Sequence, residues 1–257
     1  MDLELKGKRA LVTGGSKGIG KAIALVLAQE GCEVMIASRE VKALQAAVKD
    51  IQNASGVQAT WNAVDLSESG AAESLATWAA DIDILVNNAG AIPNGDLLSV
   101  DEDTWRRAWD LKIFGYINLC RAVYRSMKAK RSGVIVNVLG VAGEKLNPNY
   151  IAGTTANAGL MAFTRALGGA SPKDGIRVLG VSPGNIATER LISVYKQQAA
   201  IKLGDENRYP ELFASLAFER PGTPEEIAWT VAFAASARSS YTTGVYFTVD
   251  GGLGAAR

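Results

Sequence analysis

The apolar run Arg9 to Val12 passes through Thr13-Gly14-Gly15-Ser16-Lys17-Gly18-Ile19-Gly20 into the helical pattern Lys21 to Gln29, and this junction constrains the fold more than any other stretch. A strand that turns through glycines into a helix gathers free backbone N–H groups and the positive end of a helix dipole at one point, where an anion can sit. A pyrophosphate is the simplest such anion. Gly14 then permits the tight turn, Gly18 lets the backbone approach the phosphates, and Gly20 lets the helix pack closely on the sheet; Ser16, Lys17 and Ile19 complete the loop. The spacing is G-x-x-x-G-x-G, not the G-x-G-x-x-G of the commonest dinucleotide fingerprint. Alone, the loop also reads as a turn that happens to be glycine-rich; the flanking strand and helix favour the nucleotide.

Downstream, short β-branched runs alternate with longer amphipathic segments. Strands are expected at Arg9–Val12, Glu33–Ser38, Gln58–Asn62, Ile82–Asn87, Gly133–Val138, Arg177–Val181 and Val245–Val249. Helices are expected at Ile19–Gln29, Glu40–Asn53, Glu68–Ala80, Asp103–Lys130, Pro148–Leu167 and Pro224–Ala235. This alternation predicts an α/β fold whose mostly parallel sheet is covered by helices on both faces. No linker or repeat breaks residues 1–257, and 48% hydrophobic residues fill one core, so a single domain is expected. The segment Glu189 to Arg220 departs from the rhythm, carrying Leu191, Ile192, Tyr195, Leu203, Tyr209, Leu212, Phe213 and Phe218 among charges. It reads as a lid over a binding cleft, or else as a surface helical hairpin.

Charge and composition narrow the function. With 27 basic and 26 acidic residues no global field attracts nucleic acid or an anionic membrane, so neither is an expected partner. The N-terminus has no basic region followed by an apolar core, and no apolar run is long enough to span a bilayer, so a cytoplasmic location is expected. Histidine is absent, which removes His-dependent triads, most zinc sites and the usual general base; no metal is expected. Cys32 and Cys120 sit in apolar patterns and read as buried thiols.

At the end of the second strand the chain reads Ala37-Ser38-Arg39-Glu40. An Asp or Glu here binds the ribose 2′-hydroxyl of NAD, whereas an Arg accommodates a 2′-phosphate. Ser38 and Arg39, with Lys17 as a second cation, therefore favour NADP(H) over NAD(H); Glu40 argues mildly against it. Asp65 and Leu66 close the third strand, where the carboxylate either accepts from the adenine amino group or caps a turn before Ser67. Asn87-Asn88-Ala89-Gly90 follows a central strand, where small residues admit a cofactor and an Asn side chain ties neighbouring strands together.

Thr13-Gly-x-x-x-Gly-Ile-Gly20, Asp65-Leu66, Asn87-Asn-Ala-Gly90, Ser182-Pro-Gly184 and Val249-Asp-Gly-Gly252 stand in the order and spacing of the short-chain dehydrogenase/reductase family, which the chain resembles over nearly its whole length. The resemblance implies one Rossmann-like, doubly wound domain with a seven-stranded parallel sheet, NAD(P)(H) as cofactor, and a homotetramer or homodimer. It implies that Asn88, Ala89 and Gly90 line the cofactor, that Ser38 and Arg39 hold the 2′-phosphate, and that Pro183-Gly184 covers the nicotinamide, with Ile186 and Thr188 beyond it.

The residues that carry the family's chemistry do not match. Lys112 stands at the position of a helical Asn, Gly140 at that of the Ser after the fifth strand, and Gly153 and Asn157 at those of the Tyr and Lys of Tyr-x-x-x-Lys. Tyr124-Arg125-Ser126-Met127-Lys128 spells that motif literally but precedes the fifth strand, away from the expected nicotinamide. Tyr150, seven residues before Asn157, has the longer spacing of the family's enoyl reductases and shares a helix face with it if the helix is regular.

An unperturbed phenol has a pKa of about 10, so without an adjacent ammonium Tyr150 remains a neutral acid, better suited to protonating an alkoxide than to oxidising alcohols. Lys112 is the first candidate for the missing cation, or else a lysine that snorkels to solvent; Glu144, Lys145, Asn147 and Asn149 come second. The expected function is NADP(H)-dependent hydride transfer to or from a carbonyl or alcohol of a moderately sized apolar or aromatic substrate, with Tyr150 as proton donor and Lys112 and Asn157 beside it. The alternative is a nucleotide-binding member of the family that has lost catalysis and serves as a regulatory or scaffolding protein.

Overall fold

Seven apolar runs form strands because residues at alternate positions meet opposite helical layers. In the computed structural model, which describes residues 1–255, these are β1 (Arg9–Thr13), β2 (Glu33–Ser38), β3 (Ala59–Ala63), β4 (Ile84–Asn87), β5 (Gly133–Val138), β6 (Ile176–Pro183) and β7 (Tyr246–Val249). All pair in parallel in the order β3-β2-β1-β4-β5-β6-β7. Val12, Ile36, Val86 and Val136 face one layer, where Ile23 and Leu27 of α1 (Gly18–Gln29), Leu44 of α2 (Val41–Ser55) and Ile227 and Val231 of a late helix bury against them. Their neighbours Leu11, Leu85 and Ile135 face the other, against Leu75 of α3 (Ala71–Trp78) and residues of the helices after β4. Burying both faces makes the strands read as continuous apolar runs.

Three expected helices differ from the observed ones by more than two residues or by a change of winding, each for a local reason. The helix expected from Glu68 starts at Ala71, because Asp65 accepts from the Ser67 amide and Gly70 adopts a left-handed φ of 78°. The helix expected over Asp103–Lys130 is α4 (Glu102–Trp109), a π-helical turn at Asp110–Phe114, and α5 (Gly115–Lys130). The helix expected from Pro148 is α6 (Ile151–Ala170), and Tyr150, with φ −139°, lies just before it. Tyr150 and Asn157 therefore do not share a regular helix face.

The excursion expected as a lid is α7 (Glu189–Leu203) followed by tight turns at Glu206–Ser215 and Ala217–Glu219. Its base is stapled: Gly222 N donates to Asn185 O at 2.9 Å and Ala187 N to Gly222 O at 2.8 Å. The chain continues into α8 (Pro224–Ala235), started by a reciprocal capping box between Thr223 and Glu226. At the other end of α8 the Arg177 guanidinium donates to the carbonyls of Ala234, Ala235, Ser236 and Thr242, tying the helix to β6. Cys32 and Cys120 are buried free thiols, each pushed up to about 12 by burial. Among the described residues no helix is long and apolar enough to cross a membrane.

Candidate active site

The sheet reverses its winding between β1 and β4, and ligands of such sheets bind beyond the strand ends at this switch point. Thr13 Oγ1 accepts from the amides of Asn88 (2.9 Å) and Ala89 (3.1 Å), while Asn88 Nδ2 donates to Thr13 O at 3.0 Å, locking the two strand ends together. Gly14 and Gly18 have φ of +66° and +55°, which side chains with a Cβ rarely adopt. A Cβ at Gly20 would run into Gly14 O and lie 2.5 Å from Asn88 Nδ2, so its absence brings the α1 N-terminus onto the strand end. Next door Asn87 Nδ2 donates to Asn137 Oδ1 at 3.0 Å, tying β4 to β5.

From this point a cleft of about 1000 Å³ runs across the carboxyl edge of the sheet. Gly14, Ser16, Lys17, Gly18, Ile19 and Gly20 line one wall. Asn88, Ala89 and Gly90 form the floor, and Pro183, Gly184, Ile186 and Thr188 the far wall. Thr188 caps α7 and faces Gly18 across the gap. Ser38, Arg39 and Leu66 line the outer end, together with Glu40. Asp65 is the one expected cofactor residue that does not line it. Its Oδ1 accepts from the Ser67 hydroxyl and amide, at 2.7 and 3.0 Å, and its Oδ2 lies 3.5 Å from Arg39 Nη1.

Two features test whether this end fits a dinucleotide. Among the described residues Ser38 Oγ is buried without a hydrogen-bond partner, beside an Arg39 held only by a long, half-exposed ion pair of the kind that contributes little. The glycine loop opens on the N-terminus of α1, which has no acidic residue in its first turn and no side-chain cap. An orphan hydroxyl, a weakly engaged guanidinium and an open helix N-terminus fit a phosphorylated ribose and a pyrophosphate.

The inner end holds Tyr150, Lys112 and Asn157 together. A Cβ placed at Gly153 would overlap Cε1 and Cζ of Tyr150 and lie 2.6 Å from its hydroxyl oxygen. The Tyr150 ring thus occupies the space that a side chain at position 153 would take. Its backbone is stitched to the loop after Gly90: Gly95 N donates to Asn149 O at 2.8 Å and Ile151 N to Gly95 O at 3.2 Å. Burial raises the Tyr150 phenol above its ordinary 10, and the Arg190 guanidinium of α7 works in the opposite direction. Asn157 is only 4% exposed; its Nδ2 donates to Gly153 O at 2.9 Å, and its Oδ1 has no partner among the described residues. That amide lies 3.1–3.2 Å from where a Cβ at Gly140 would stand, so it fills the ground of the missing serine.

Lys112 does not snorkel. It sits in the π-helical turn, 7% exposed, with Nζ donating to Val138 O at 2.8 Å and to the Tyr116 hydroxyl at 2.9 Å. Its stem needs Gly90, since a Cβ there would be 2.6 Å from Lys112 Cδ. No carboxylate lies within ion-pair distance among the described residues, and burial pulls its pKa down to about 7. Single π turns in α-helices recur at functional sites.

The other candidates separate cleanly. Lys145 and Asn147 line the cleft, whereas Glu144 turns away to accept from the hydroxyls of Tyr246 and Thr248. Tyr124 and Lys128, of the literal Tyr-x-x-x-Lys, both bind Asp174, which precedes the amino end of β6 and so lies at the opposite edge of the sheet. Sequence reasoning did not identify Ile92, Asn94 and Gln198, which also line the cleft. Gln198 had a signal: Leu191, Val194, Tyr195 and Gln198 follow helical 3-and-4 spacing and share the cleft-facing side of α7. Ile92 and Asn94 lie in an aperiodic loop, which offers none.

Residues 8–199 match the family model of short chain dehydrogenase. The chain is 34% identical to 3-oxoacyl-(acyl-carrier-protein) reductase of Chlamydia muridarum, over 98% of this chain and all of that protein. It is 33% identical to galactitol 2-dehydrogenase (L-tagatose-forming) of Cereibacter sphaeroides, over 96% and 95% of the two chains. Among solved structures, L-sorbose reductase of Gluconobacter frateurii in complex with NADPH and L-sorbose superposes with a TM-score of 0.92 at 30% identity, covering both chains fully. NAD+-bound xylitol dehydrogenase superposes with a TM-score of 0.88 at 29% identity over 97% of this chain and all of that one. With this fold, this cleft and these relatives, the chain belongs to the short-chain dehydrogenase/reductase family of NAD(P)-dependent oxidoreductases.

Proposed function

We propose that the protein is an NADPH-dependent carbonyl reductase whose proton donor is Tyr150. The observation that carries this reading is the seating of the Tyr150 ring in the space vacated by Gly153. A phenol from one turn earlier in the chain thereby reaches the cleft where the family's own tyrosine is absent. Ser38 Oγ and Arg39 would hold the 2′-phosphate, the glycine loop the pyrophosphate, and Asn157 Oδ1, a buried acceptor without a donor, a ribose hydroxyl. Bound in this way, the cofactor supplies the hydride.

The remaining chemistry falls to the chain. As the carbonyl oxygen gains an electron pair it takes the proton of the Tyr150 hydroxyl, which makes no hydrogen bond to protein among the described residues. A phenol raised by burial stays protonated near neutral pH and, though a weaker acid than a free phenol, still protonates an alkoxide, so reduction is the favoured direction. The buried Lys112 ammonium sets a positive potential at the deep end of the cleft and favours the developing negative charge. The substrate's carbon body lies against Ile92, Leu146, Val194 and Tyr195, with α7 and the turns after it as the lid that excludes water. Trp229 and Phe233, exposed on α8, support self-association.

The test is NADPH oxidation with a panel of ketones, among them ketoses, 3-oxoacyl thioesters and cyclic diketones. Turnover with at least one class, lost by about 10²-fold or more in Tyr150→Phe, is expected. No turnover across the panel, or unchanged turnover in Tyr150→Phe, defeats the assignment.

A further inference from the structure

Five cations stand in the excursion Glu189 to Arg220, and four are accounted for without a ligand: Arg220 pairs with Glu226 at 2.8 Å, and three more have their own settings. Arg208 forms a two-pronged pair with Glu211 at 2.7 and 2.8 Å, Lys196 lies 5.8 Å above the Tyr209 ring, and Lys202 is exposed away from the cleft wall. Arg190 differs. It lies in the first turn of α7 and lines the cleft, and its Nη2 donates to Ile92 O at 2.6 Å. Ile92 packs in the same apolar cluster as Tyr150, and the loop that carries it is stitched to the Tyr150 turn at Gly95. Arg190 is therefore held beside the proton donor.

Only that one hydrogen bond is made by the guanidinium among the described residues, although it carries five N–H donors. No carboxylate lies within 4.0 Å of it among them, even though Glu189 precedes it in sequence and also borders the cleft. Lys112 lines the same end, but its Nζ is engaged by Val138 O and the Tyr116 hydroxyl, so it supplies charge there and not a second contact. The field of the guanidinium acts on the Tyr150 phenol against the effect of burial, which agrees with this placement.

Resting on the reading of the cleft as a carbonyl reductase site, we propose that Arg190 binds a carboxylate on the substrate, so that the natural substrate class is an oxo acid. A guanidinium edge presents two parallel N–H groups that match a carboxylate, whereas a phosphate monoester of charge near −2 calls for a second cation at the same point. With its carboxylate on Arg190, the substrate presents its ketone to the Tyr150 hydroxyl.

The experiment compares pyruvate, acetoacetate and levulinate with their methyl esters in NADPH-dependent turnover. For at least one chain length the wild-type protein is expected to prefer the acid, with the advantage carried by KM. Arg190→Met should shrink the acid-to-ester ratio of kcat/KM by about 10- to 100-fold, and Arg190→Lys should keep part of it. Because the ratio is taken within one preparation, partial misfolding cancels. An acid-to-ester ratio near one in the wild type, or a ratio that survives Arg190→Met, overturns the proposal. Tyr150-dependent turnover of the esters without acid preference would leave the reductase reading standing and remove only this one. If neither acid nor ester is reduced, calorimetric binding of levulinate to the complex with NADP+ decides: binding lost in Arg190→Met upholds the proposal, and absent or unaltered binding sinks it.

Discussion

Replacing Lys112 by Met should stabilise the protein while impairing it. The ammonium is buried, has no carboxylate partner, and has its pKa pulled from 10.5 to about 7 by desolvation. At about 1.36 kcal/mol for each pH unit, that fall means that keeping the charge inside costs about 5 kcal/mol below pH 7. The sign follows from proton counting. Between about pH 7 and 10.5 the unfolded chain holds the Lys112 proton and the folded chain does not, so this group makes the unfolding free energy rise with pH across that window. Its stabilising share is complete above the unfolded value and is lost as pH falls to the folded one. Met fills the channel beside Gly90, and Val138 O keeps a donor, because the Tyr116 hydroxyl also reaches it at 2.9 Å. The substitution therefore leaves no buried acceptor unpaired. Urea unfolding at fixed protein concentration, from about pH 6 to 10, should show Lys112→Met more stable than wild type by about 1–4 kcal/mol at the acid end. The two curves should converge as pH rises. Carbonyl reduction should fall in the variant, and in the wild type it should decline as pH rises through about 7. A variant less stable than wild type at the acid end, with a parallel pH dependence, would refute the reasoning, because it would mean that Lys112 is not a destabilised cation.

Three further outcomes are expected. Arg39→Asp should reverse the preference between NADPH and NADH, a change on the order of 10²-fold in the ratio of dissociation constants by fluorescence titration; an unchanged ratio removes Arg39 and Ser38 from the 2′-phosphate site. Gly153→Ala places a methyl group where the Tyr150 ring lies, so the ring must swing out. Its kcat should drop about as far as that of Tyr150→Phe while NADPH affinity is retained, and undiminished kcat would show that the ring position does not matter. Arg177→Leu strips three carbonyls at the end of α8, and that of Thr242 before β7, of their shared donor and should lower stability by about 2–4 kcal/mol, read as a fall in melting temperature; an unmoved melting temperature would mean that water replaces the guanidinium at no loss.

Sheet and layers were legible in the sequence because both strand faces are buried and each strand-to-helix turn carries its own punctuation. Glu33–Ser38, Gly133–Val138 and Pro224–Ala235 are bounded as their patterns predict. What periodicity could not show is where a helix changes its winding. Across Asp110–Phe114 the sequence keeps a helical pattern, yet the ladder there is π-helical, and that turn carries Lys112. The residues expected around a cofactor, Asp65 apart, line one cleft in the fold, since glycines and a terminal arginine act through backbone geometry and position. Asp65 was the ambiguous one: capping the Ser67 turn and contacting adenine demand the same residue at the same place, and its Oδ1 is engaged by Ser67.

The residues expected to be catalytic were the least legible, because the contacts among them are spatial rather than positional. Aligning Gly153 and Asn157 with tyrosine and lysine reveals a loss, and counting seven residues back to Tyr150 implies a regular helix that does not exist there. In the fold, glycine at 153 is the condition for Tyr150 to lie across it, and glycine at 140 keeps a Cβ from crowding the Asn157 amide at 3.1–3.2 Å. Gly153 thus makes room for Tyr150 and Gly140 for Asn157, so these departures are coupled to their neighbours and are not independent losses. A chain that had merely drifted from catalysis would leave holes at these positions, whose lost contacts weaken a closely packed interior. Here the ring of Tyr150 occupies the space beside Gly153 and the amide of Asn157 packs against Gly140, while Lys112 is a buried amine whose pKa is brought down to about 7, the range in which functional sites hold titrating groups.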